Sequence, residues 1–152
     1  MKKVFFGCSM RGGYASLNRE ELIKVRNLIE PLGHKLVSKH QLENGILERE
    51  SRLSPKEIHD RDYNWLKEAD LCVFEISNPS LGTGGEISDA LGLEKPVLCL
   101  FRKGLSAGVS AYIRGKQGSK FVKARFECRA YNGLEEARAI LEEFLWKRQE
   151  KS

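Results

Sequence analysis

Short runs of apolar residues alternate with helical patterns along most of this chain. The clearest run covers residues 71–76, where Glu75 is the one charged residue, and similar runs cover residues 4–7 and 96–101. Strands that are almost continuously apolar are typical of parallel sheets buried on both faces, whereas a half-exposed strand alternates apolar and polar residues. Helices joining such strands make right-handed crossovers that cover the sheet.

The pattern therefore predicts an α/β fold with a five-stranded parallel, doubly wound sheet of the flavodoxin or Rossmann-like kind. Its expected strand order is 2-1-3-4-5, with helices on both faces. Capping boxes at Asn18–Glu21 and Ser54–Glu57 mark two helix starts. The predicted strands are 4–7, 35–38, 71–76, 96–101 and 120–127; the predicted helices are 18–33, 55–69, 84–93, 110–114 and 134–147, with a loop over 40–53.

Length and composition favour one domain over residues 1–152, because 41% of the residues are hydrophobic and the chain is 152 residues long. No apolar segment approaches the roughly 20 residues of a membrane span, and no signal-peptide pattern follows Met1. We expect a cytoplasmic protein, or a nuclear one in a eukaryote. Four widely spaced cysteines without a C-x-x-C pair indicate free thiols, mostly buried; they are Cys8, Cys72, Cys99 and Cys128.

The net charge of +5 favours an anionic partner. Basic residues alternate with acidic ones along most of the chain and form no stripe interleaved with aromatic residues, so the expected partner is a small anionic molecule and neither a nucleic-acid polymer nor a membrane.

Residues 78–86 form the most informative local motif, because they follow a buried strand and open a helical pattern. Glycines allow the backbone to approach a ligand, hydroxyls of Ser80 or Thr83 can donate to a phosphate, and a helix N-terminus supplies free N–H groups. Glu86 is predicted to lie in the first helical turn, where the helix dipole favours its ionised form. A carboxylate beside a phosphate cradle suits chemistry on a sugar phosphate.

A second glycine-containing loop, residues 9–13, follows the first strand and contains Arg11. In a sheet of order 2-1-3-4-5 the ligand crevice lies between strands one and three, at their carboxyl ends. Both glycine loops are therefore expected to face one anion, with Arg11 able to pair a phosphate. Gly12-Gly13 alone is equally compatible with an ordinary turn.

Asp62 falls on one helical stripe with Ile58, Leu66 and Ala69, at a position where an apolar residue is expected. A buried charge needs a partner, so the ordinary explanation is an aspartate bonded to a backbone N–H or to an arginine. The functional explanation combines it with Glu86. A carboxylate kept ionised by a helix dipole and a second whose pKa is raised by burial form the pair that glycosidic cleavage uses.

Five motifs in order resemble the 2'-deoxynucleoside 5'-monophosphate N-hydrolases of the nucleoside 2-deoxyribosyltransferase-like superfamily. They are residues 5–13 (FFGCSMRGG), 59–70 (HDRDYNWLKEAD), 79–86 (PSLGTGGE), 98–102 (LCLFR) and 110–115 (SAYIRG). The similarity covers the chain from Val4 to about Phe126.

The resemblance implies hydrolysis of the N-glycosidic bond of a deoxynucleoside monophosphate, without cofactor or metal. By motif position, Glu86 is the glutamate that attacks or stabilises C1', and Asp62 positions the sugar or protonates the departing base. Ser110 corresponds to a serine delivered by the neighbouring subunit of a homodimer. The implied substrate-binding residues are Phe5, Cys8, Ser9, Met10, Arg11, Gly12, Ser80, Gly82 and Ser110.

Three positions depart from the family pattern. Phe5 replaces a common tyrosine and so lacks a hydroxyl that could bond the glutamate, Gly85 replaces another tyrosine and opens space, and Cys8 replaces a glycine. Two alternatives stay open: a deoxyribosyltransferase that exchanges bases, and a nucleotide-binding sensor that has lost catalysis.

Overall fold

The computed structural model describes residues 1–9, 17–38, 43, 45–105 and 108–146. Five parallel strands form one sheet in the order β2-β1-β3-β4-β5, which confirms the predicted topology. The central pair is in register from Val4 opposite Leu71 to Cys8 opposite Glu75, so β1 and β3 end side by side. The strands are β1 Lys3–Cys8, β2 Lys35–Leu36, β3 Leu71–Glu75, β4 Val97–Arg102 and β5 Phe126–Tyr131.

Helices cover both faces of the sheet, as predicted. The side chains of β1 alternate between two apolar clusters: Phe6 packs with residues of the first and last helices, and Phe5 packs with Leu66 and Ile87 on the opposite face. The helices are α1 Arg19–Arg26, α2 Ile46–Glu50, α3 Pro55–Glu68, α4 Leu81–Gly92, α5 Ala111–Arg114 and α6 Leu134–Trp146. Accordingly, α1 and α6 cover one face, while α3 and α4 cover the other.

Both predicted capping boxes are present. The Glu21 amide donates to Asn18 Oδ1 at 2.9 Å, and the Asn18 amide donates to Glu21 Oε2 at 2.9 Å. At the start of α3, the Glu57 amide donates to Ser54 Oγ at 3.1 Å and the Ser54 amide donates to Glu57 Oε2 at 2.7 Å. These bonds satisfy amides that a helix start otherwise leaves unpaired, which fixes where α3 begins.

Several elements differ from the sequence prediction. The first helix ends at Arg26, and a short 3-10 turn over Glu30–Leu32 takes the chain to Gly33, whose φ of 87° only glycine adopts readily. The segment 40–53, predicted as a loop, contains α2. Helix α4 begins at Leu81, three residues before the predicted start.

The last strand was predicted too early. It begins at Phe126 instead of residue 120, and Phe121, one of the residues that suggested the earlier start, is 83% exposed. Because β5 lies at the edge of the sheet, its middle residues are only partly buried, and its sequence lacks the continuous apolar run of β3 and β4.

All four cysteines are free thiols, as predicted; Cys8, Cys72 and Cys99 are buried and Cys128 is half-buried. Burial raises the pKa of Cys72 to about 12, so its thiol is protonated at neutral pH. In the part of the chain that the structure describes, no helix is long and apolar enough to span a membrane.

Candidate active site

A cavity of about 470 Å³ lies between α3 and α4 on the face of the sheet that these helices cover. Both predicted catalytic carboxylates, Asp62 and Glu86, line it. Its wall consists of Pro55, Ile58, His59, Asp62, Tyr63 and Leu66 from α3, and of Gly82, Gly85, Glu86 and Asp89 from α4. The helical spacings therefore bring together the two acids that the sequence singled out.

Asp62 lies on the inner side of α3, as its spacing from Ile58 and Leu66 predicted. Leu66 is 1% exposed, whereas the Asp62 side chain is 19% exposed at the cavity. Arg61 Nε donates to Asp62 Oδ1 at 2.9 Å. Asp62 therefore has the arginine partner of the ordinary explanation, and it also lines the cavity, as the functional explanation requires.

The start of α4 is set by Ser80, which is its N-cap residue. The Thr83 amide donates to Ser80 Oγ at 3.2 Å, and the Gly84 amide donates to the Ser80 carbonyl at 3.1 Å. With Leu81 as the first helical residue, Glu86 lies in the second turn. The prediction that Glu86 lies in the first turn was therefore wrong, because three glycines concealed the helix start.

The electrostatic state predicted for Glu86 was also wrong. Burial, and then the charges of Asp62 and Asp89, raise the pKa of Glu86 from 4.5 to about 8. Its Oε2 is buried and has no hydrogen-bond partner among the described residues. The helix dipole acts mainly within the first turn, so it does not cancel the rise in the pKa of Glu86 that burial causes. In the free protein at neutral pH, Glu86 is mostly protonated.

The loop before α4 is fixed by buried hydrogen bonds around Glu75. The Ser77 amide donates to Glu75 Oε1 at 2.6 Å, and the Tyr131 hydroxyl donates to Glu75 Oε2. Asn78 exchanges two 2.9 Å bonds with the Leu17 backbone. Glu75 therefore anchors the turn that leads into α4.

The remaining predicted residues of the first strand lie at different depths. Phe5 is fully buried in the core, where its ring packs against Phe74 with centroids 5.7 Å apart. Cys8 and Ser9 are buried at the carboxyl end of β1. Burial, and then the charges of Glu75 and Glu86, raise the pKa of Cys8 to about 12. The Cys8 thiol therefore interacts electrostatically with Glu75 and Glu86.

The other predicted binding residues are distributed more widely. Gly82 lines the cavity and Ser80 caps the helix beside it. Ser110 is exposed and caps α5, where its Oγ accepts a 3.4 Å bond from the Ile113 amide. Three predicted residues lie outside the described residues: Met10, Arg11 and Gly12.

Sequence reasoning missed two charged residues near the cavity, Arg61 and Glu50. Arg61 Nη2 donates to Glu50 Oε1 at 2.6 Å in addition to its bond with Asp62. Sequence spacing gives no signal for the Arg61–Asp62 pair, because successive residues on a helix do not normally face each other. It gives none for Glu50 either, because α2 lies in a segment without clear periodicity.

The sequence model of the nucleoside 2-deoxyribosyltransferase family matches residues 4–122. The 5-hydroxymethyl-dUMP N-hydrolase of Esox lucius is 33% identical over 146 residues, covering 93% of this chain and 94% of its own. The rat enzyme of the same name is 37% identical over 123 residues, covering 78% of this chain and 72% of its own. A putative 2'-deoxynucleoside 5'-phosphate N-hydrolase 1 of Thermofilum pendens is 35% identical, with 94% of each chain covered.

Two solved structures share the fold. The CMP N-glycosidase BcmB of Clostridium botulinum superposes with a TM-score of 0.65 at 22% identity, over 94% of this chain and 99% of its own. BlsM superposes with a TM-score of 0.67 at 22% identity, over 99% of this chain and 98% of its own. The match to the family model over most of the chain, with relatives above 30% identity along nearly their full length, shows that this chain belongs to the nucleoside 2-deoxyribosyltransferase family.

Proposed function

We propose that this protein hydrolyses the N-glycosidic bond of 2'-deoxynucleoside 5'-monophosphates and releases a free base and 2-deoxyribose 5-phosphate. The observation that carries the proposal is the placement of Asp62 and Glu86 in one cavity, next to the N-terminus of α4. The names of the relatives, which are N-hydrolases of deoxynucleoside monophosphates, support the same bond and the same substrate class.

The phosphate binds at the start of α4. Ser80 Oγ accepts from the Thr83 amide and keeps its own hydroxyl proton to donate to a phosphate oxygen. The first amides of α4 and the dipole of a 12-residue helix favour an anion there. Ser9, directly after β1, and Arg11, two residues later in the sequence, complete the phosphate site in this proposal.

Glu86 acts on the sugar, and Asp62 acts on the sugar or the base. The C1'–N bond breaks, and its electron pair goes to the base nitrogen, which takes a proton from a water molecule. Ionised Glu86 stabilises the oxocarbenium-like C1' or bonds to it transiently. The hydroxide left by that water then bonds to C1' and displaces the carboxylate where it had bonded. Carboxylates and water suffice for these steps, so the proposal includes no cofactor and no metal.

The elevated pKa of Glu86 gives this chemistry a pH requirement. A glutamate that stabilises positive charge at C1' must be ionised, and burial makes that form the minor one in the free protein at neutral pH. Expulsion of water from the same cavity strengthens the attraction between the ionised group and the cationic transition state.

We further propose a homodimer in which Ser110 reaches the partner's site. Supporting this, three large apolar side chains on or near α4 and α5 are exposed: Leu81 at 99%, Tyr112 at 78% and Phe121 at 83%. A groove of about 600 Å³ runs between α4 and α5, and Tyr112 and Phe121 line it. Burying such residues against a second copy removes apolar surface from water and brings the α5 start towards another α4.

Base exchange is the second candidate, since the matching family is named for transfer of the deoxyribosyl group. A transferase uses the same carboxylates but takes nucleosides without a phosphate. Mixing a deoxynucleoside with a second free base separates the two functions, because only a transferase yields the exchanged nucleoside.

The decisive experiment incubates the protein with a panel of deoxynucleoside and ribonucleoside monophosphates and detects the liberated base by chromatography. We expect release from at least one deoxynucleotide and its abolition in Glu86→Gln. Asp60→Asn is a matched control, since Asp60 lies on α3 with its side chain 56% exposed and bonds to His59. Tight binding without turnover would favour the sensor, and normal turnover by Glu86→Gln would reject the role assigned to this residue.

A further inference from the structure

Three charged side chains from two helices form a chain of ion pairs beside the cavity. Arg61 Nη2 lies 2.6 Å from Glu50 Oε1, and Arg61 Nε lies 2.9 Å from Asp62 Oδ1. The side chains are largely buried, with exposed fractions of 22% for Arg61, 12% for Glu50 and 19% for Asp62. This distinguishes the network from a surface ion pair, which solvent would screen.

The position of Arg61 depends on more than one contact. Successive residues on a helix do not face each other, so the Arg61 side chain must fold against the surface of α3 to reach the carboxylate of Asp62. Its guanidinium lies over the Trp65 ring, 4.7 Å from the centroid, and its Nη2 donates to Glu50. The aromatic face and the second carboxylate thus restrict the guanidinium to the orientation in which Nε points at Asp62.

We propose that Arg61 is a positioning residue that fixes the carboxylate of Asp62 in the cavity opposite Glu86, and that Glu50 holds Arg61 in place and thereby makes α2 part of the active site. The expected effects on kcat and KM rest on the proposed function. The orientation of Asp62 and the electric field at Glu86 can be measured without turnover.

The charged groups around Glu86 come from several elements. Asp62 and Arg61 lie on α3, Asp89 lies on α4, and Glu50 lies on α2. His59 also lines the cavity. On the strands beneath it, the charge of Glu86 contributes to the raised pKa of Cys8 and of Cys72. Of these groups Arg61 lowers the pKa of Glu86, whereas Asp62, Asp89 and Glu50 raise it.

The network predicts related effects for Arg61 and for the residue that holds it. Removing the positive charge in Arg61→Gln raises the pKa of Glu86, because the field of Asp62 is no longer balanced. Glu50→Gln removes a repulsive charge, which alone would lower this pKa, but it also releases Arg61, which raises it. If Glu50 holds Arg61, the pKa of Glu86 therefore does not fall in Glu50→Gln, whereas it falls if Arg61 keeps its place without Glu50.

The test is a carbon-13 NMR titration of glutamate side-chain carboxyls, with the Glu86 signal assigned by its loss in Glu86→Gln. We expect the titration midpoint to move up by about 1 pH unit in Arg61→Gln and not to move down in Glu50→Gln. Arg52→Gln is the matched control, since Arg52 also pairs with a glutamate, Glu48, at 3.4 Å, but on the surface with side chains 74% and 77% exposed. A downward shift in Glu50→Gln, or a shift in Arg61→Gln no larger than in that control, would overturn the proposal.

Activity then separates charge from position. Arg61→Lys keeps the charge but cannot make both bonds of the guanidinium, so it should restore most of the Glu86 midpoint yet leave kcat about 10- to 100-fold low, with KM changed much less. Full recovery of kcat in Arg61→Lys would show that charge alone matters and would reject the positioning role. If the wild-type protein releases no base from any nucleotide, the proposed function fails, while the NMR titration still decides the arrangement of the network.

Discussion

The buried carboxyl of Glu86 is expected to destabilise the fold as the pH rises. Its side chain is half-buried between α3 and α4, Oε2 has no partner among the described residues, and its pKa is about 8 instead of 4.5. Glu86→Gln keeps the size and polarity of the side chain but removes its ionisation. We expect this variant to be more stable than the wild type in alkaline solution.

The size of the effect follows from the difference between the two pKa values. Between about pH 4.5 and pH 8 the unfolded chain has lost the Glu86 proton and the folded chain has kept it, so the folded state binds more protons and its stability falls as the pH rises. Above pH 8 the difference is constant. Each tenfold difference in proton affinity corresponds to about 1.4 kcal/mol, which gives about 2–5 kcal/mol once relaxation around a half-buried group is allowed for. A typical domain has a total stability of about 5–15 kcal/mol, so the effect is large.

Urea unfolding at pH 5, 7 and 9 measures this difference. The advantage of Glu86→Gln over the wild type should be close to zero at pH 5, intermediate at pH 7 and largest at pH 9. Glu135→Gln, an exposed glutamate on α6 across the sheet, serves as the control and should show little change. A difference between wild type and Glu86→Gln that stays constant from pH 5 to pH 9 would refute the account of Glu86 given above.

Three further outcomes test the site and its surroundings. If ionised Glu86 acts at C1', kcat/KM for a deoxynucleotide should rise with pH through about 8; a profile that falls there would make Glu86 the proton donor instead. Tyr131→Phe removes the donor to Oε2 of the fully buried Glu75 and should lower the free energy of unfolding in urea by about 1–3 kcal/mol; a loss below about 0.5 kcal/mol would mean that Glu75 is satisfied in another way. Leu81→Glu places a charge on the proposed dimer surface and should give a monomer in sedimentation velocity, with activity reduced as in Ser110→Ala; a monomeric wild-type protein that is fully active would exclude the shared site.

Much of the fold follows from local patterns that the tertiary structure does not oppose. Continuous apolar runs predicted β3 and β4, and the expected flavodoxin-like order 2-1-3-4-5 is the one observed. The boxes at Asn18 and Ser54 fixed two helix starts, because the side chain and the backbone of each box satisfy one another. The 3.6-residue period also placed Asp62 in the cavity, because its neighbours on the stripe, Ile58 and Leu66, must face the sheet.

The errors arise where tertiary contacts decide the structure. Helix α2 has only five residues, too few for a periodic pattern, and Glu50 within it joins α3 through Arg61. The beginning of α4, with glycine at positions 82, 84 and 85, has poor intrinsic helix propensity. Buried bonds to Glu75 and Asn78 hold the preceding turn and let Ser80 cap the helix there. The sequence shows the glycines, which disfavour a helix, but it does not show these hydrogen bonds, so the helix start could not be predicted from it.

The earlier start of α4 matters for the site, because it separates the helix N-terminus, where an anion can bind, from the carboxylate of Glu86. Had Glu86 lain in the first turn, a phosphate at the helix start would have been close to its carboxylate, and the repulsion would have opposed the ionised form. With the start at Leu81, Glu86 lies five residues farther along, which is about 7–8 Å of axial rise. The sugar of a nucleotide likewise separates its phosphate from the anomeric carbon. In the proposed mechanism, the N-terminus of α4 therefore holds the phosphate while Glu86, in a drier part of the same cavity, faces the carbon at which positive charge develops.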